Sequence, residues 1–550
     1  NYINDFSILE LESELKNQPQ IDEFSILEKN KVQTPQPYHL KDILPGSLLD
    51  SNHQEIDHKI NNEIKENNSI SEKLAISHGD ELILEDNEPL TLQDALKRAS
   101  LNNEKGIYYI QNDDSTVFQS YYDLLQQAQK ALKGLRSYGL KPNDKVIFQI
   151  EDDQSYLTTF WGCVLGGFIP IPIAESQNYE EDNDIVKKLV NVWNVLEKPL
   201  VVTRQKVKED ILNMAQRKGL NDFKTAIFEE LIQNRPDENW HKSKPDDVAL
   251  FLLTSGSTGM PKAVMQTHKA ILLRSAAIKQ MENYQKDEIA LFWFPLEHVV
   301  GIIMFHIRDT YLECDQYHGD TQTVLANPLK WMDWIDKFRI TNTWAPNFAY
   351  GLVNEYEDEI KNRNWDLSCM KYFHNGGEAI VAKTVRKFLT LLKPHKLKEE
   401  SMLPSWGMSE TSSGVAFTGF SLKDTSDEDK FVNVGAPIPG VSFRIVDKEN
   451  QLKKERETGR LQVKGNPVTI GYYKNPEANV SSFTDDGWFY TGDLAYLQNG
   501  ELTITGREKD EIIINGINYY SHEIEKCVEE VENVVVSFTA ACAVRPAHSQ

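Results

Sequence analysis

The stretch Phe251 to Gln266 reads F-L-L-T-S-G-S-T-G-M-P-K-A-V-M-Q, and its reading decides the fold. Leu250 to Leu253 and Ala263 to Met265 are short apolar runs, which predicts two buried strands joined by Thr254 to Lys262. Glycines in such a loop let backbone N–H groups turn toward an anion, hydroxyls add donors and the lysine adds charge. The loop is therefore expected to cradle phosphate with Thr254, Ser255, Gly256, Ser257, Thr258, Gly259 and Lys262. The commoner P-loop pattern G-x-x-x-x-G-K-[ST] fails here, because Met260 and Pro261 separate Gly259 from Lys262 and Ala263 follows the lysine. Pro261 holds Met260 extended, so the chain is predicted to return as a strand. A Ser/Thr/Gly hairpin without a ligand is the plainer alternative.

Composition bounds the possibilities. A chain of 550 residues exceeds the roughly 250–300 at which single cores stop growing, so two or more domains are expected. A net charge of −24 argues against a general binder of nucleic acid or anionic membrane, which needs clustered Lys and Arg. Cys163, Cys314, Cys369, Cys527 and Cys542 are far apart and form no C-x-x-C pair, as expected of thiols in a reducing compartment and hence of a cytoplasmic protein. The longest apolar stretch, Phe160 to Ala174, is broken by glycines and prolines, so neither a secretory signal nor a membrane span is predicted. The sequence opens on Asn1 without methionine and stops at Gln550 in mid-pattern, which predicts a piece of a larger multidomain chain.

Outward from the loop, residues 1–89 have the Asn, Glu, Lys, Gln and Ser content of a partly disordered linker carrying one or two helices. From Leu90 the texture changes. Thr91 is the expected N-cap of a helix through Ala99, Ile107 to Gln111 and Thr116 to Gln119 read as paired strands, and Tyr121 to Tyr138 has helical spacing. Lys145 to Ile150, Asp152 to Leu165 and Phe168 to Ile173 then read as strand, helix and strand. Strands alternating with helices predict an α/β fold with a mostly parallel sheet. Glu457 to Tyr473 alternates apolar and polar residues between turns and is expected to contribute to a small β-barrel. Ser521 to Val531 reads as a helix and Val534 to Thr539 as a strand.

Further segments carry possible chemistry. They are Leu291 to Phe305 (L-F-W-F-P-L-E-H-V-V-G-I-I-M-F), Pro328 to Tyr350 with T-W-A-P-N-F-A-Y at its end, and His374 to Ile380 (H-N-G-G-E-A-I). Ser405 to Thr411 (S-W-G-M-S-E-T), Tyr490 to Leu494 (Y-T-G-D-L) and Gly506 to Asn518 (G-R-E-K-D-E-I-I-I-N-G-I-N) complete the set. A histidine in an apolar run is more often a satisfied core residue than a functional one. Each glycine-rich piece could likewise be a turn, and R-x-K-D a solvated charge run.

In this order and spacing, however, the segments resemble the adenylate-forming superfamily: acyl-CoA synthetases, fatty acyl-AMP ligases, luciferases and the adenylation domains of peptide and polyketide synthases. The resemblance covers Leu90 to the C-terminus. It implies a large multi-sheet α/β core over residues 90–508 with the small β-barrel, and at 509–550 the start of a truncated α+β C-terminal subdomain. It further implies ATP and Mg²⁺ as cofactors. Gly376, Gly377, Glu378 and Ala379 would lie against adenine and Trp406 would stack on it, with Gly407, Met408 and Ser409 following, the last donating to the α-phosphate. Glu410 would supply a hard oxygen to the metal, Asp493 would take the ribose hydroxyls, Arg507 would contact the nucleotide and Lys509 would be the hinge. Thr254, Lys262, His298, Glu410 and Lys509 are then the expected catalytic set. His298, Val299, Trp344, Asn347, Phe348 and Gly377 are the expected substrate pocket.

Amino-acid-activating members of the superfamily carry an Asp that pairs with the substrate ammonium, but no Asp occurs between Leu291 and Ile307, and Glu297 is the only acidic neighbour there. Because an unpaired buried ammonium is costly, the expected substrate is a carboxylic acid without an α-amino group. Its acyl-AMP would pass to the phosphopantetheine thiol of an acyl or peptidyl carrier protein. The aromatic segment resembles that of fatty acyl-AMP ligases, although Ser412 to Gly435 is short for the insertion those enzymes carry after the Glu motif. A stand-alone acyl-CoA ligase, an amino-acid adenylation domain and an inactive scaffold module remain the alternatives. The superfamily's C-terminal catalytic lysine has no place before Gln550, so this stretch alone is expected to bind ATP and to form adenylate poorly.

Overall fold

The computed structural model describes residues 23–24, 38–39, 73–254, 261–509, 511–514 and 517–520, together with 524, 528 and 541. Two compact units result, one of Ala75–Lys453 with Glu457–Thr505, the other of Asn1–Leu74, Lys454–Arg456 and Gly506–Gln550. The larger unit reaches back beyond the expected start at Leu90, because the strand Ile76–His78 pairs with Val441–Val446. Of the smaller unit, the hairpin Glu511–Ile514 and Ile517–Tyr520 is described. The expected helix at Ser521 to Val531 and strand at Val534 to Thr539 lie almost wholly outside the described residues.

The larger unit is built on parallel strands, as the alternating pattern requires. Gly106–Ile110, Asp315–His318, Ile289–Phe292, Asn342–Ala345, Tyr372–Asn375 and Met402–Met408 lie side by side in parallel, with Thr116–Ser120 antiparallel at the edge. Past Met408 the ladder turns antiparallel through Ser413–Phe417 and Asn433–Pro437 and continues to Ile76–His78. A second parallel sheet orders Ile169–Pro172, Lys145–Gln149, Leu200–Thr203 and Thr225–Ile227. Both faces of such sheets are covered, which is why these strands read as nearly continuous apolar runs. The helix Asp153–Gly166 is accordingly buried almost all round, capped by the Asp152 side chain and ended by Gly167 at φ +67°.

The stretch Phe251 to Gln266 forms an antiparallel hairpin of Val248–Thr254 and Lys262–Thr267, with Thr254 opposite Lys262 at its open end. Helix His268–Glu282 follows directly, capped by Thr267. His268 Nδ1 accepts a hydrogen bond from the Leu92 backbone N–H (3.1 Å), tying this helix to Leu92–Ala99.

Burial pushes the His268 pKa down to about 4. An unfolded histidine near 6.5 binds a proton that the folded one refuses, so between about pH 6.5 and 4 this residue makes stability fall as pH falls. Asparagine keeps an acceptor near Nδ1 and does not titrate. His268→Asn is therefore expected to remove a loss reaching about 3 kcal/mol at pH 4. Urea unfolding of both proteins from pH 7 to 4 checks this, and parallel stability curves would refute it.

Candidate active site

At the end of the hairpin, Lys262 Nζ stands 4.7 Å from the centroid of the Tyr472 ring. Ser255, Gly256, Ser257, Thr258 and Gly259 lie outside the described residues, so Thr254 and Lys262 mark the two ends of the expected cradle. Glu410 sits in the helical turn Ser409–Thr411 that follows the strand Met402–Met408. It is only 5% exposed, and its Oε1 accepts from the Tyr472 hydroxyl at 2.8 Å. Buried Gln266 donates from Nε2 to the Ser409 carbonyl at 2.5 Å and accepts from Ser412 Oγ at 2.7 Å. The Ser409–Glu410 turn is thereby fixed to the hairpin, and the half-buried Gly407 and Met408 lead into it.

The next two expected residues meet each other. Trp406, 8% exposed, donates from Nε1 to Asp493 Oδ2 at 2.9 Å and packs edge-on against Phe443. The indole expected against adenine thus orients the carboxylate expected at the ribose. The neighbouring Ser405 Oγ donates to the Asn375 carbonyl at 3.0 Å. A methyl on Gly376 would come within 2.6 Å of the Ser405 carbonyl oxygen, so glycine is needed for this close approach. Gly377, Glu378 and Ala379 are exposed beyond it.

Gly377 stands between the residues expected at the nucleotide and those expected at the acid. Its φ is +88°, and a Cβ there would meet Trp344 Cζ2 at 3.1 Å. Phe294 packs edge-on against Trp344 at 5.0 Å and His298 stacks at 6.2 Å. Val299 is buried at the start of the π-helical segment Val300–Ile307, a distortion frequent at functional sites. His298 is open to solvent, yet enough protein surrounds its imidazole to push its pKa below the ordinary value. The Val300 backbone N–H donates to His298 Nδ1 at 3.3 Å, which leaves Nε2 to carry the proton of the neutral ring. Glu297 has as its charged neighbours Asp153 and Lys188, and burial pushes its pKa up.

Asn347 is 1% exposed, and its Oδ1 accepts from the Val381 backbone N–H at 3.1 Å and Asn375 Nδ2 at 3.5 Å, so it braces the strand ends. Glu378 Oε1 accepts from the Phe348 N–H at 2.6 Å, in the first turn of the helix Asn347–Asn354. Phe348 is half-buried beside that turn. Arg507 and Lys509 are exposed residues of the smaller unit. Sequence reading missed Gln266, Phe294 and Tyr472. Gln266 was detectable as a polar residue on the face of Val264, whereas nothing in I-G-Y-Y separates Tyr472 from Tyr473.

Mg²⁺ asks for hard oxygens, commonly one or two carboxylates, with phosphate and water completing its shell. No group of three or more His, Cys, Asp or Glu side chains able to cage a metal occurs among the described residues. The buried carboxylate of Glu410 suits an ion that arrives on the phosphates of a nucleotide.

Residues 97–473 match the family described as AMP-binding enzyme. The chain belongs to that family. This AMP-binding enzyme is an adenylate-forming ligase, and its curated relatives include the atromentin synthetase greA of Suillus grevillei, 30% identical over 83% of this chain and 49% of the relative. The nonribosomal peptide synthetase apvA of Aspergillus terreus is 30% identical over 83% and 50%. The chain thus spans about half the length of the curated relatives it matches. Among solved structures, the adenylation domain of a keto acid-selecting nonribosomal peptide synthetase module bound to keto acyl adenylate is 40% identical at a TM-score of 0.78, covering 85% of this chain and 89% of that one. McyG A-PCP complexed with phenylalanyl-adenylate is 43% identical at 0.82, covering 86% and 74%. No helix among the described residues is long and apolar enough to cross a membrane.

Gly377→Ala is expected to strain a left-handed backbone and press a methyl onto Trp344. A cost of about 1–2 kcal/mol at this turn corresponds to turnover roughly tenfold lower, with a melting temperature within a few degrees of the parent. Adenylate formation followed by pyrophosphate release measures it, and unchanged turnover would show that the turn does not bear on the acid.

Proposed function

We propose that the larger unit activates a carboxylic acid lacking an α-amino group, with a 2-oxo acid as the class to test first, and that the acyl group then passes to a phosphopantetheine thiol on a carrier protein. The observation that carries this reading is the neutral, aromatic acid end. His298 presents an Nε2–H beside Trp344 and Phe294, and the adjacent carboxylate, Glu297, has Asp153 and Lys188 as its charged neighbours. An ammonium would lack a committed partner there, whereas a carbonyl or carboxylate oxygen would find a donor. The 40% identity to a keto acid-selecting domain supports the same class.

In the proposed reaction a carboxylate oxygen attacks the α-phosphorus of ATP, the bond to the bridging oxygen breaks, and pyrophosphate leaves. Magnesium would neutralise charge building on the phosphates. Lys262 and the hydroxyl of Thr254 would hold those phosphates, Ser409 would donate to the α-phosphate, and Trp406 with the Gly376–Ala379 turn would bound the adenine. Asp493 would accept from the ribose. His298 would orient the acid. Fixed donors of this kind act where charge develops, usually the largest catalytic contribution.

Matched acids with one side chain, carrying a 2-oxo, 2-hydroxy or 2-amino group, separate the readings by pyrophosphate release. The oxo acid is expected to exceed the amino acid at least tenfold. The reverse order would favour the amino-acid reading, which the phenylalanyl-adenylate complex of a 43%-identical domain keeps in view. Free coenzyme A offered against a carrier domain distinguishes the acceptors. ATP binding without turnover of any acid would mark an inactive module, as the name of the inactive atromentin synthetase invA3 of Paxillus involutus, 29% identical, says of that relative.

A further inference from the structure

The side chain that joins the two phosphate-facing charges is not among the residues the sequence motifs single out. Tyr472 is 4% exposed, with Lys262 Nζ 4.7 Å over its ring and its hydroxyl donating to Glu410 Oε1 at 2.8 Å. A ring face attracts an ammonium through its quadrupole, and a hydrogen bond to a carboxylate is among the stronger ones. One rigid side chain thus holds the cation with its face and the anion with its tip.

The backbone around Tyr472 is fixed for this purpose. Its N–H donates to Asn479 Oδ1 at 2.7 Å, and Asn479 Nδ2 donates back to its carbonyl at 3.0 Å. On either side, the Met265 N–H donates to the Gly471 carbonyl at 3.0 Å and the Tyr473 N–H to the Ala263 carbonyl at 2.9 Å, so the segment runs as a third strand along the hairpin. The Thr469 N–H donates to the Glu410 carbonyl at 2.7 Å, which docks the Ser409–Thr411 turn on the same segment.

We propose that Tyr472 is a positioning residue of the nucleotide site, setting Lys262 for phosphate through its ring and Glu410 for the phosphate-bound magnesium through its hydroxyl. This deepens the proposed function and rests on it. The two halves of the side chain separate by substitution. Tyr472→Phe keeps the ring and removes the hydroxyl, whereas Tyr472→Leu removes both.

Calorimetric titration of ATP into each protein, with magnesium and with a chelator, reads the two effects without turnover. Tyr472→Phe is expected to bind metal-free ATP within twofold of the parent and to lose at least fivefold of the gain that magnesium gives. Tyr472→Leu is expected to lose that gain and also at least fivefold in metal-free affinity. An unchanged magnesium gain in Tyr472→Phe would overturn the proposal, as would a Tyr472→Phe that weakens both conditions alike, the mark of a merely structural residue. Should Tyr472→Leu fail to fold, the phenylalanine variant decides alone. A parent that binds no ATP would instead remove the proposed function itself, and this proposal with it.

Discussion

Two carboxylates, Glu410 and Asp493, are each held only 5% exposed in the larger unit, and the arrangement of the site depends on how that burial is tolerated. Removing a carboxylate from water costs several kcal/mol unless donors replace the water. Both solutions here use the polar edge of a buried aromatic: the Tyr472 hydroxyl for Glu410 and the Trp406 indole N–H for Asp493. An aromatic donor supplies a hydrogen bond while its remaining surface packs as core. The carboxylates therefore keep their acceptor character, which a metal ion or a ribose can use.

The framework behind the site obeys the same constraint with opposite charges. Arg308 is fully buried, pairs with Asp309 at 2.7 Å and lies over the rings of Tyr284 and Phe305. The Tyr284 hydroxyl meets His374 Nε2 at 3.1 Å, and His374 begins the H-N-G-G turn. Burial, together with Arg308 and Arg274, pushes the His374 pKa well down, so the ring is neutral. Arg274, on the helix that follows the hairpin, donates from Nε to the Gly414 carbonyl at 3.1 Å, just past the Glu410 turn. Arg274 thus ties the helix after the hairpin to the strand past the carboxylate turn, while Arg308, Tyr284 and His374 back the glycine turn. Several of their buried polar atoms, among them both terminal nitrogens of Arg274 and Nδ1 of His374, have no hydrogen-bond partner among the described residues.

Much of this fold was legible because its strands are short apolar runs and its helices carry strong caps. The hairpin around Thr254 to Lys262, the pair at Gly106–Ile110 and Thr116–Ser120 and the helix after Thr91 appear where the pattern placed them. The start of the unit was not legible, because Ile76–His78 is a three-residue edge strand whose partner lies more than 360 positions away. The site divides along a similar line. Lys262, Glu410, Trp406 and Asp493 declare themselves by residue type within motifs, since phosphate, metal and ribose chemistry need charge or π surface. Asn347 does not declare itself in this way, because an asparagine is equally fit to serve a ligand or a strand end, and its partners Val381 and Asn375 emerge only in the fold. Tyr472 was invisible because its work is defined by two residues distant in sequence that converge only in the fold.

The acid end completes the contrast. Where the nucleotide end keeps its carboxylates in place with aromatic donors, the pocket by Trp344 offers a neutral imidazole, a second aromatic edge and a glycine turn. If an acid binds there as proposed, selection would draw on shape and on the hydrogen bond that His298 can give. Such a site discriminates by what it leaves unpaired: an ammonium loses its water without compensation, while a carbonyl loses little. The turn at Gly377 packs on Trp344 and follows Gly376, which lies against Ser405 next to Trp406, so one short backbone segment joins the residues expected at the acid to those expected at the nucleotide.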